Sequence, residues 1–155
     1  SVLEDMIMPI AVNLYKQTSM GRNFQGDDVL TLPNGAGYQY TRRALWLVLE
    51  ELEQCFDTLI ILGHLKDKLV EKDGKEMTER GLDLVGKSAA ILCSQVDAIG
   101  YMYRDENKTV VNFAPSDSIT CGSRSEHLKN KKVTLIESDD SGKLTVNWDD
   151  IFLKE

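Results

Sequence analysis

Residues 58–63 read TLIILG, a continuous apolar run without the alternation of a strand that has one face in solvent. Runs of this kind are typical of strands buried on both faces, as in parallel sheets that are covered by helices on each side. The run therefore predicts a central parallel strand. It is the strongest indication of an α/β fold in the chain.

Two amphipathic helices are predicted on the N-terminal side of this run. Apolar side chains recur at helical spacing over residues 3–14, although Pro9 interrupts the stripe and predicts a late start or a bend. A second apolar stripe covers residues 41–56. Between the two helices, residues 19–40 contain several glycine turn signals, and they predict a long loop around a short strand near residues 29–32.

The C-terminal half of the chain predicts strands after one further helix at residues 87–95. Residues 98–103 and 109–114 read as strands, and residues 132–137 and 143–148 read as a pair joined by a Ser-Asp-Asp-Ser-Gly connection. This order of elements predicts an α/β fold with a mostly parallel sheet, flanking helices and a C-terminal antiparallel hairpin.

Composition restricts the possible functions. The 155 residues are enough for one domain, and the net charge of −7 argues against a general nucleic-acid coat or an anionic membrane surface. No run approaches the roughly 20 apolar residues of a membrane span, so no membrane partner is predicted. Cys55, Cys93 and Cys121 form no C-x-x-C motif, which indicates reduced thiols in a cytoplasm. With two histidines in the chain, no metal site is predicted.

Residues 81–88 read GLDLVGKS and match the phosphate-loop pattern G-x-x-x-x-G-K-[ST]. In a working loop, backbone N–H groups cradle phosphates, the lysine reaches the β- and γ-phosphates, and the hydroxyl holds Mg²⁺. However, the preceding residues alternate charges instead of forming a buried strand, and bulky apolar residues fill the loop. Two interpretations follow: Gly86, Lys87 and Ser88 bind nucleotide, or they open a helix after a packed connection. We favour the second.

A histidine follows the predicted central strand. His64 stands at its carboxyl end, where ligands bind in open α/β sheets, and Lys66 and Lys68 come directly after it. One interpretation is a phosphate sensor that relays its signal into the next loop. The other is a histidine that bonds the backbone, followed by solvated lysines. The charge-balanced loop over residues 65–87 contacts a phosphate backbone only if several of its lysines converge.

Residues 124–132 read RSEHLKNKK, the one locally basic stretch of an acidic chain. If residues 128–135 are extended, Lys129 and Lys131 project from the same face, because strand side chains alternate with a period of two. Two neighbouring cations suit a phosphate. The alternative is an edge strand that lysines protect from aggregation.

The order of the motifs LIILGHLKDK, LDLVGK, VDAIGYMYRD, NFAPSD and GSRSEHLKN resembles phage RecA-like P-loop ATPases of the single-strand-annealing type. The resemblance extends over residues 3–148. It implies that His64 senses the γ-phosphate, and that Lys129 and Lys131 reach ATP bound by the neighbouring subunit, with Arg124 as an alternative cation.

The resemblance also implies a mobile loop that contacts DNA over residues 65–83. The lysines of that loop are Lys66, Lys68, Lys72 and Lys75. By the same resemblance, the 81–88 match is similar to a segment that follows the DNA-binding loop, and residues 19–40 match a second connection that often faces DNA.

A RecA-like core further contains an N-terminal strand, a glycine-rich phosphate loop and a strand that ends in a Mg²⁺-binding aspartate, which residues 1–155 do not match. The chain is therefore expected to be the C-terminal portion of such a core. ATP and Mg²⁺ would bind in the complete protein, and the chain alone would be inactive. The first residue, Ser1, suggests a fragment, a processed product or one half of a split gene whose other chain carries the phosphate loop.

The expected function is an ATP-dependent single-stranded DNA-binding, annealing or recombination protein of a phage. The expected partners are single-stranded DNA and further copies of the chain in a ring or filament, since cations that act in trans require a neighbour. The expected location is the host cytoplasm. The alternative is a non-catalytic interaction module on a RecA-like scaffold.

Overall fold

The computed structural model describes residues 2–72 and 74–153, although the side chain of Lys72 lies outside the described part. The chain divides into two compact units. The first contains the residues up to His64 together with Asp83–Ile91, and the second contains Leu65–Leu82 and the residues from Leu92 onward.

Two helices form the first unit, α1 (Val2–Lys16) and α2 (Gly37–Cys55). Their buried apolar side chains recur at helical spacing and pack the helices together. These side chains are Ile7, Ala11 and Val12 of α1, and Ala44, Leu45 and Leu49 of α2. Both predicted helices are confirmed. The late start is wrong, because α1 begins at Val2 and continues through Pro9.

The connection between these helices contains two 3₁₀ turns, Val29–Thr31 and Pro33–Gly35, in place of the predicted strand. Asp28 causes the first turn, since its side-chain oxygen accepts the N–H of Leu30 at 2.7 Å. The chain then passes directly into α2. The helix therefore starts four residues earlier than the stripe at residues 41–56 predicts.

Residues 58–63 are the largest departure from the sequence-based fold. They form an irregular connection after α2, with Ile60, Ile61 and Leu62 exposed by 54%, 36% and 84%. Within the described part of the chain, their backbone groups make no hydrogen bond to another segment. The predicted central strand is wrong for this structure, because a parallel strand requires a parallel neighbour and the described residues supply none.

The predicted mobile loop is instead a regular hairpin of strands β1 (Leu65–Lys72) and β2 (Lys75–Leu82). The two strands pair along their full length, from Leu65 opposite Leu82 to Lys72 opposite Lys75. Gly74 adopts a φ of 73° at the turn, as two-residue hairpin turns require.

A helix and six further strands complete the chain. They are α3 (Ser88–Gln95), β3 (Ala98–Ile99), β4 (Tyr101–Asp105), β5 (Lys108–Asn112), β6 (Gly122–Ser123), β7 (Lys132–Ser138) and β8 (Leu144–Val146). Strands β4, β5, β7 and β8 form a four-stranded sheet in that order, and β3 pairs with β6. The predicted helix, the strands and the C-terminal hairpin are confirmed.

Every named strand pair in the described residues is antiparallel, and the one parallel contact is an isolated bridge between Arg80 and Ile119. The prediction of a mostly parallel RecA-like sheet is therefore wrong for the described residues, and the fold is mixed α/β with antiparallel sheets. The reason is local. Each long strand of the second unit is connected to its partner by a short turn or by the 113–131 connection. The connection reverses the direction of the chain, so the two strands pair antiparallel.

The four-stranded sheet buries one apolar cluster, which consists of Val111, Phe113, Leu128, Val133 and Leu135. Ile151 packs against it, and the backbone oxygen of that residue lies 2.8 Å from Nε2 of His127. At the β7–β8 turn, hydrogen bonds from Ser141 and Lys143 hold the pKa of Asp139 below its ordinary value.

Candidate nucleic-acid interface

The hairpin β1–β2 separates its charges onto two faces. Directly opposite residues of an antiparallel pair share a face, and successive residues along a strand alternate. Lys68 lies opposite Glu79, and Lys66 lies two residues before Lys68 on the same strand. Lys75 lies four residues before Glu79 on β2, so it shares this face. We name the face that carries Lys66, Lys68 and Lys75 the lysine face.

The lysine face has one acidic side chain among its described residues, and that side chain already has a partner. Glu79 accepts a hydrogen bond from Oγ1 of Thr120 at 3.1 Å. The three lysines are exposed. Lys72 belongs to β1, but the described residues do not include its side chain. The structure therefore places three of the four predicted DNA-binding lysines on a single surface.

The opposite face of the hairpin is mainly acidic. It carries Asp67, Glu71, Glu76 and Arg80, since each alternates with the residues of the lysine face. Arg80 donates its Nε–H to Oδ1 of Asp67 at 3.1 Å across the two strands. This hydrogen bond and the charge of Asp67 raise the pKa of Arg80 above its ordinary value. The guanidinium is thus neutralised within the hairpin, and the two faces differ in sign.

His64 lies in the chain directly before this hairpin. Its carbonyl oxygen accepts the N–H of Asp83 at 2.9 Å, which joins the two chain segments that lead into β1 and out of β2. The residue is exposed, and its imidazole forms no hydrogen bond with the described residues. The ring is therefore accessible to a ligand, and His64 lies two residues before Lys66 in the chain.

The second basic stretch has a different conformation from the predicted strand. Residues 126–130 form a turn, in which the N–H groups of Lys129 and Lys131 bond the carbonyl oxygens of Ser125 and Leu128, both at 3.1 Å. Lys129 and Lys131 therefore do not project from one face of a strand, because β7 begins only at Lys132. Both lysines remain exposed.

Lys129 and Arg124, two cations of the basic stretch, have partners within the chain. Nζ of Lys129 lies 3.1 Å from Oε1 of Glu126, an exposed pair of the kind that contributes little and opens readily. Arg124 donates to the carbonyl oxygens of Gln95 at 3.0 Å and Ser94 at 2.5 Å. It thereby caps the C-terminus of α3, where a cation is favourable. Its predicted action on a neighbouring subunit stays a prediction.

The phosphate-loop match at residues 81–88 extends from the end of β2 to the first residue of α3. Its first glycine is inside the exposed strand β2 instead of following a buried one, while Gly86 has a φ of 61° and α3 begins at Ser88. The N–H of Val85 already donates to Oε1 of Glu4 at 2.5 Å. A carboxylate therefore occupies a loop amide that a phosphate would need.

An aromatic ring further fills the space next to this loop. An added Cβ at Gly86 would lie 3.0 Å from the ring of Tyr38, and Ser88 is buried. These contacts favour the packed connection over nucleotide binding by Gly86, Lys87 and Ser88. The 81–88 match thus does not fit the phosphates of ATP.

The remaining reactive groups form no site in the described residues. No three His, Cys, Asp or Glu side chains among them are arranged to hold a metal ion. Cys55, Cys93 and Cys121 are free thiols, and burial raises the pKa of Cys93 and of Cys121. Within the same residues, no helix combines the length and the hydropathy that a membrane span requires.

Comparison with known proteins gives one match. A family model described as AAA domain matches residues 2–125. This range extends from α1 to just beyond β6 and includes His64, the whole hairpin and Arg124, whereas Lys129 and Lys131 lie beyond it. No curated protein and no solved structure matches the chain.

Proposed function

We propose that this chain, which belongs to the AAA domain family of P-loop ATPases, is part of an ATP-dependent single-stranded DNA-binding protein of phage recombination or annealing. Membership in the family supports a nucleotide-binding, ATPase-type function, for which ATP and Mg²⁺ are the general cofactors. The lysine face of the hairpin carries the DNA part of the proposal.

The lysine face suits a phosphate backbone. Lys66 and Lys68 are two residues apart on one strand, so their Cα atoms are separated by about 6.8 Å. With Lys75 they form a row of cations, and the acid on this face is engaged by Thr120. The net charge of −7 disfavours general contact of the chain with a nucleic acid, so binding requires a local row of cations such as this one.

The nucleotide part of the proposal rests on exposed cations. His64 would sense the γ-phosphate and transmit its state to the adjoining hairpin. Lys129 and Lys131 would contact ATP on a neighbouring subunit, which implies a homo-oligomeric ring or filament in the host cytoplasm. Arg124 is the alternative trans-acting cation, at the cost of its cap on α3.

We place the phosphate loop outside the described residues, either in another part of the same polypeptide or in a second chain. Residues 1–155 would then be the C-terminal portion of a RecA-like core. The exposed run at 58–63 supports this view, because a strand with apolar side chains on both faces is stable only between neighbouring strands. Such a neighbour would pair with its free backbone groups.

The first test measures binding of the chain to a fluorescent oligothymidylate by anisotropy. We expect replacement of Lys66 and Lys68 with alanine to weaken binding at least about tenfold at low salt, because two phosphate contacts are lost. The matched control replaces Lys16 and Lys87, two exposed lysines of the first unit, and we expect it to bind like the wild type. Equal losses in the two variants would contradict a specific role of the hairpin.

A non-catalytic interaction module remains the second candidate, because the described residues offer no open phosphate loop: in the 81–88 match, the N–H of Val85 donates to Glu4. The two candidates differ in their response to nucleotide. A protein that contains this chain and binds single-stranded DNA more tightly with ATP and Mg²⁺ is the ATPase. Binding that does not respond to ATP indicates the module.

A further inference from the structure

The four-stranded sheet β4-β5-β7-β8 has two free edges, and both expose apolar side chains. Strand β8 forms one edge with Leu144 and Val146 exposed by 61% and 51%, and β4 forms the other with Met102 exposed by 49%. An open edge with apolar side chains is a template for strand pairing, which proteins usually block with charges or cover. Within the described residues, no further strand pairs with either edge.

The hydrogen bonds between β7 and β8 show which backbone groups of β8 point outward. Asn147 donates its N–H to Leu135 at 2.8 Å, and the carbonyl oxygen of Lys143 accepts from Asp139 at 3.0 Å. Alternate residues of a strand bond opposite sides. Lys143 and Asn147 therefore face β7, so the N–H and C=O groups of Leu144 and Val146 point away from the sheet.

The backbone groups of β4 also alternate between the two sides of the strand. Phe113 donates its N–H to Lys131 at 2.8 Å, on the β7 side of β5. The neighbouring Asn112 therefore bonds towards β4, where it lies opposite Tyr101. By alternation, the backbone groups of Met102 and Arg104 point outward. Each edge thus offers two residues with free outward donors and acceptors.

We propose that a second copy of this chain docks at this edge, with β8 of one copy pairing antiparallel with β4 of the next. Successive strands of the sheet are all antiparallel, so β4 and β8 run in opposite directions. Copies that keep the same orientation can therefore join their sheets into one continuous antiparallel sheet. No strand has to reverse for this pairing.

Side chains at the two edges are complementary in this arrangement. Met102 and Val146 lie on the same face of the sheet, because the paired positions Val111, Thr109 and Ile136 connect them. They would become neighbours across the new pair. Lys143 precedes β8 and Asp105 ends β4, so these opposite charges meet at the same end of the paired strands.

This contact joins two different surfaces of the chain. Such a heterologous contact produces a ring if it closes and a filament if it does not. The inference rests on the proposed function where it assigns a surface to the homo-oligomer. The pairing of β8 with β4 does not depend on ATP or DNA chemistry, so this inference and the proposed function can fail separately. Strands of three and five residues form a small interface, and we expect association at high protein concentration.

Cysteine cross-linking tests the pairing directly. In a Cys55→Ser background, which removes the exposed native thiol, we expect Met102→Cys mixed with Val146→Cys to form disulfide-linked dimers on oxidation. Each variant alone forms no disulfide-linked dimer, because one of the two facing cysteines is missing. A chain that carries both substitutions forms a ladder of higher species. Dimers from Val146→Cys alone would indicate pairing of β8 with itself and overturn the proposal.

Sedimentation tests the need for the free edge. Val146→Pro removes an outward N–H without removing a bond to β7, so we expect the 17.4 kDa monomer at concentrations where the wild type associates. The matched control is Val2→Pro, since proline is tolerated at the first position of a helix such as α1. A wild type that is monomeric throughout, or a Val146→Pro variant that still associates, would overturn the proposal. Oligothymidylate binding by Val146→Pro is measured in parallel, and its retention shows that the hairpin acts independently of assembly.

Discussion

Replacement of both Lys129 and Lys131 with alanine is expected to abolish DNA-stimulated ATP hydrolysis in the protein that contains this chain and its phosphate loop. Cations supplied by a neighbour to a transferring phosphoryl group contribute about 10³-fold or more to turnover. We propose this role for Lys129 and Lys131, which are exposed in and beside the 126–130 turn, whereas Arg124 is held at the end of α3. Steady-state turnover with and without single-stranded DNA measures the effect.

Two controls separate charge from structure in this experiment. Lys132→Ala removes an exposed lysine directly after the turn, and we expect turnover close to that of the wild type. Lys129→Arg with Lys131→Arg keeps both charges and should retain part of the activity. Unchanged turnover in the double alanine variant would eliminate a catalytic role for these lysines. Binding to oligothymidylate should persist in every variant, because the hairpin is intact.

Gly37→Ala is expected to unfold the first unit. A Cβ at this position would lie 1.8 Å from the carbonyl oxygen of Val29 and 2.4 Å from its carbonyl carbon. Both are backbone atoms of the Val29–Thr31 turn, against which the start of α2 packs, so the clash cannot be relieved by a side-chain rotation. We expect a loss of about 3 kcal/mol or more in the free energy of unfolding.

Urea unfolding followed by fluorescence measures this loss in the unit concerned. Trp46 lies in α2 and Trp148 in the second unit, so a Trp148→Phe background reports on the first unit alone. The control is Gly122→Ala, because a Cβ there meets no atom within 4 Å. Its unfolding should change by less than about 0.5 kcal/mol. Equal midpoints for the two variants would show that α2 does not depend on this contact.

The elements found from the sequence are those whose pattern is set by local contacts. The stripe over residues 3–14 and the apolar alternation of β5 and β7 describe faces that are buried within the chain itself. The start of α2 was missed because it depends on Val29 packing against Gly37, two residues that no periodicity connects. Residues 29–32 likewise resemble a strand in sequence, although Asp28 accepts the N–H of Leu30 and folds them into a 3₁₀ turn.

Residues 58–63 show a limit of a different kind. Their composition is that of a buried strand, yet burial requires partner strands, and the described residues contain none beside them. The hairpin is the opposite case, because the exposed charges of β1 and β2 do not have the apolar pattern of a strand although both segments are regular strands. The Asp-Gly pair at residues 73–74 is a strong hairpin signal between two runs of equal length, and it would have revealed the pairing.

The sequence predicts which residues belong to the candidate site, but it does not predict how they are arranged. His64 and the lysines of the hairpin follow from their positions in the sequence. That Lys66, Lys68 and Lys75 share a face follows only from the register that sets Lys68 opposite Glu79. The bond of Val85 to Glu4 joins residues 81 positions apart, so the sequence alone did not indicate that the phosphate-loop match is closed.

The salt dependence of binding to oligothymidylate tests the central claim most directly. A lysine that neutralises a phosphate of a single strand contributes about 0.7 to the slope of log affinity against log salt. We therefore predict that Lys66→Ala, Lys68→Ala and Lys75→Ala together lower the magnitude of this slope by about 2 relative to the wild type. A slope that is the same in the triple variant and the wild type would contradict the assignment of the lysine face to DNA.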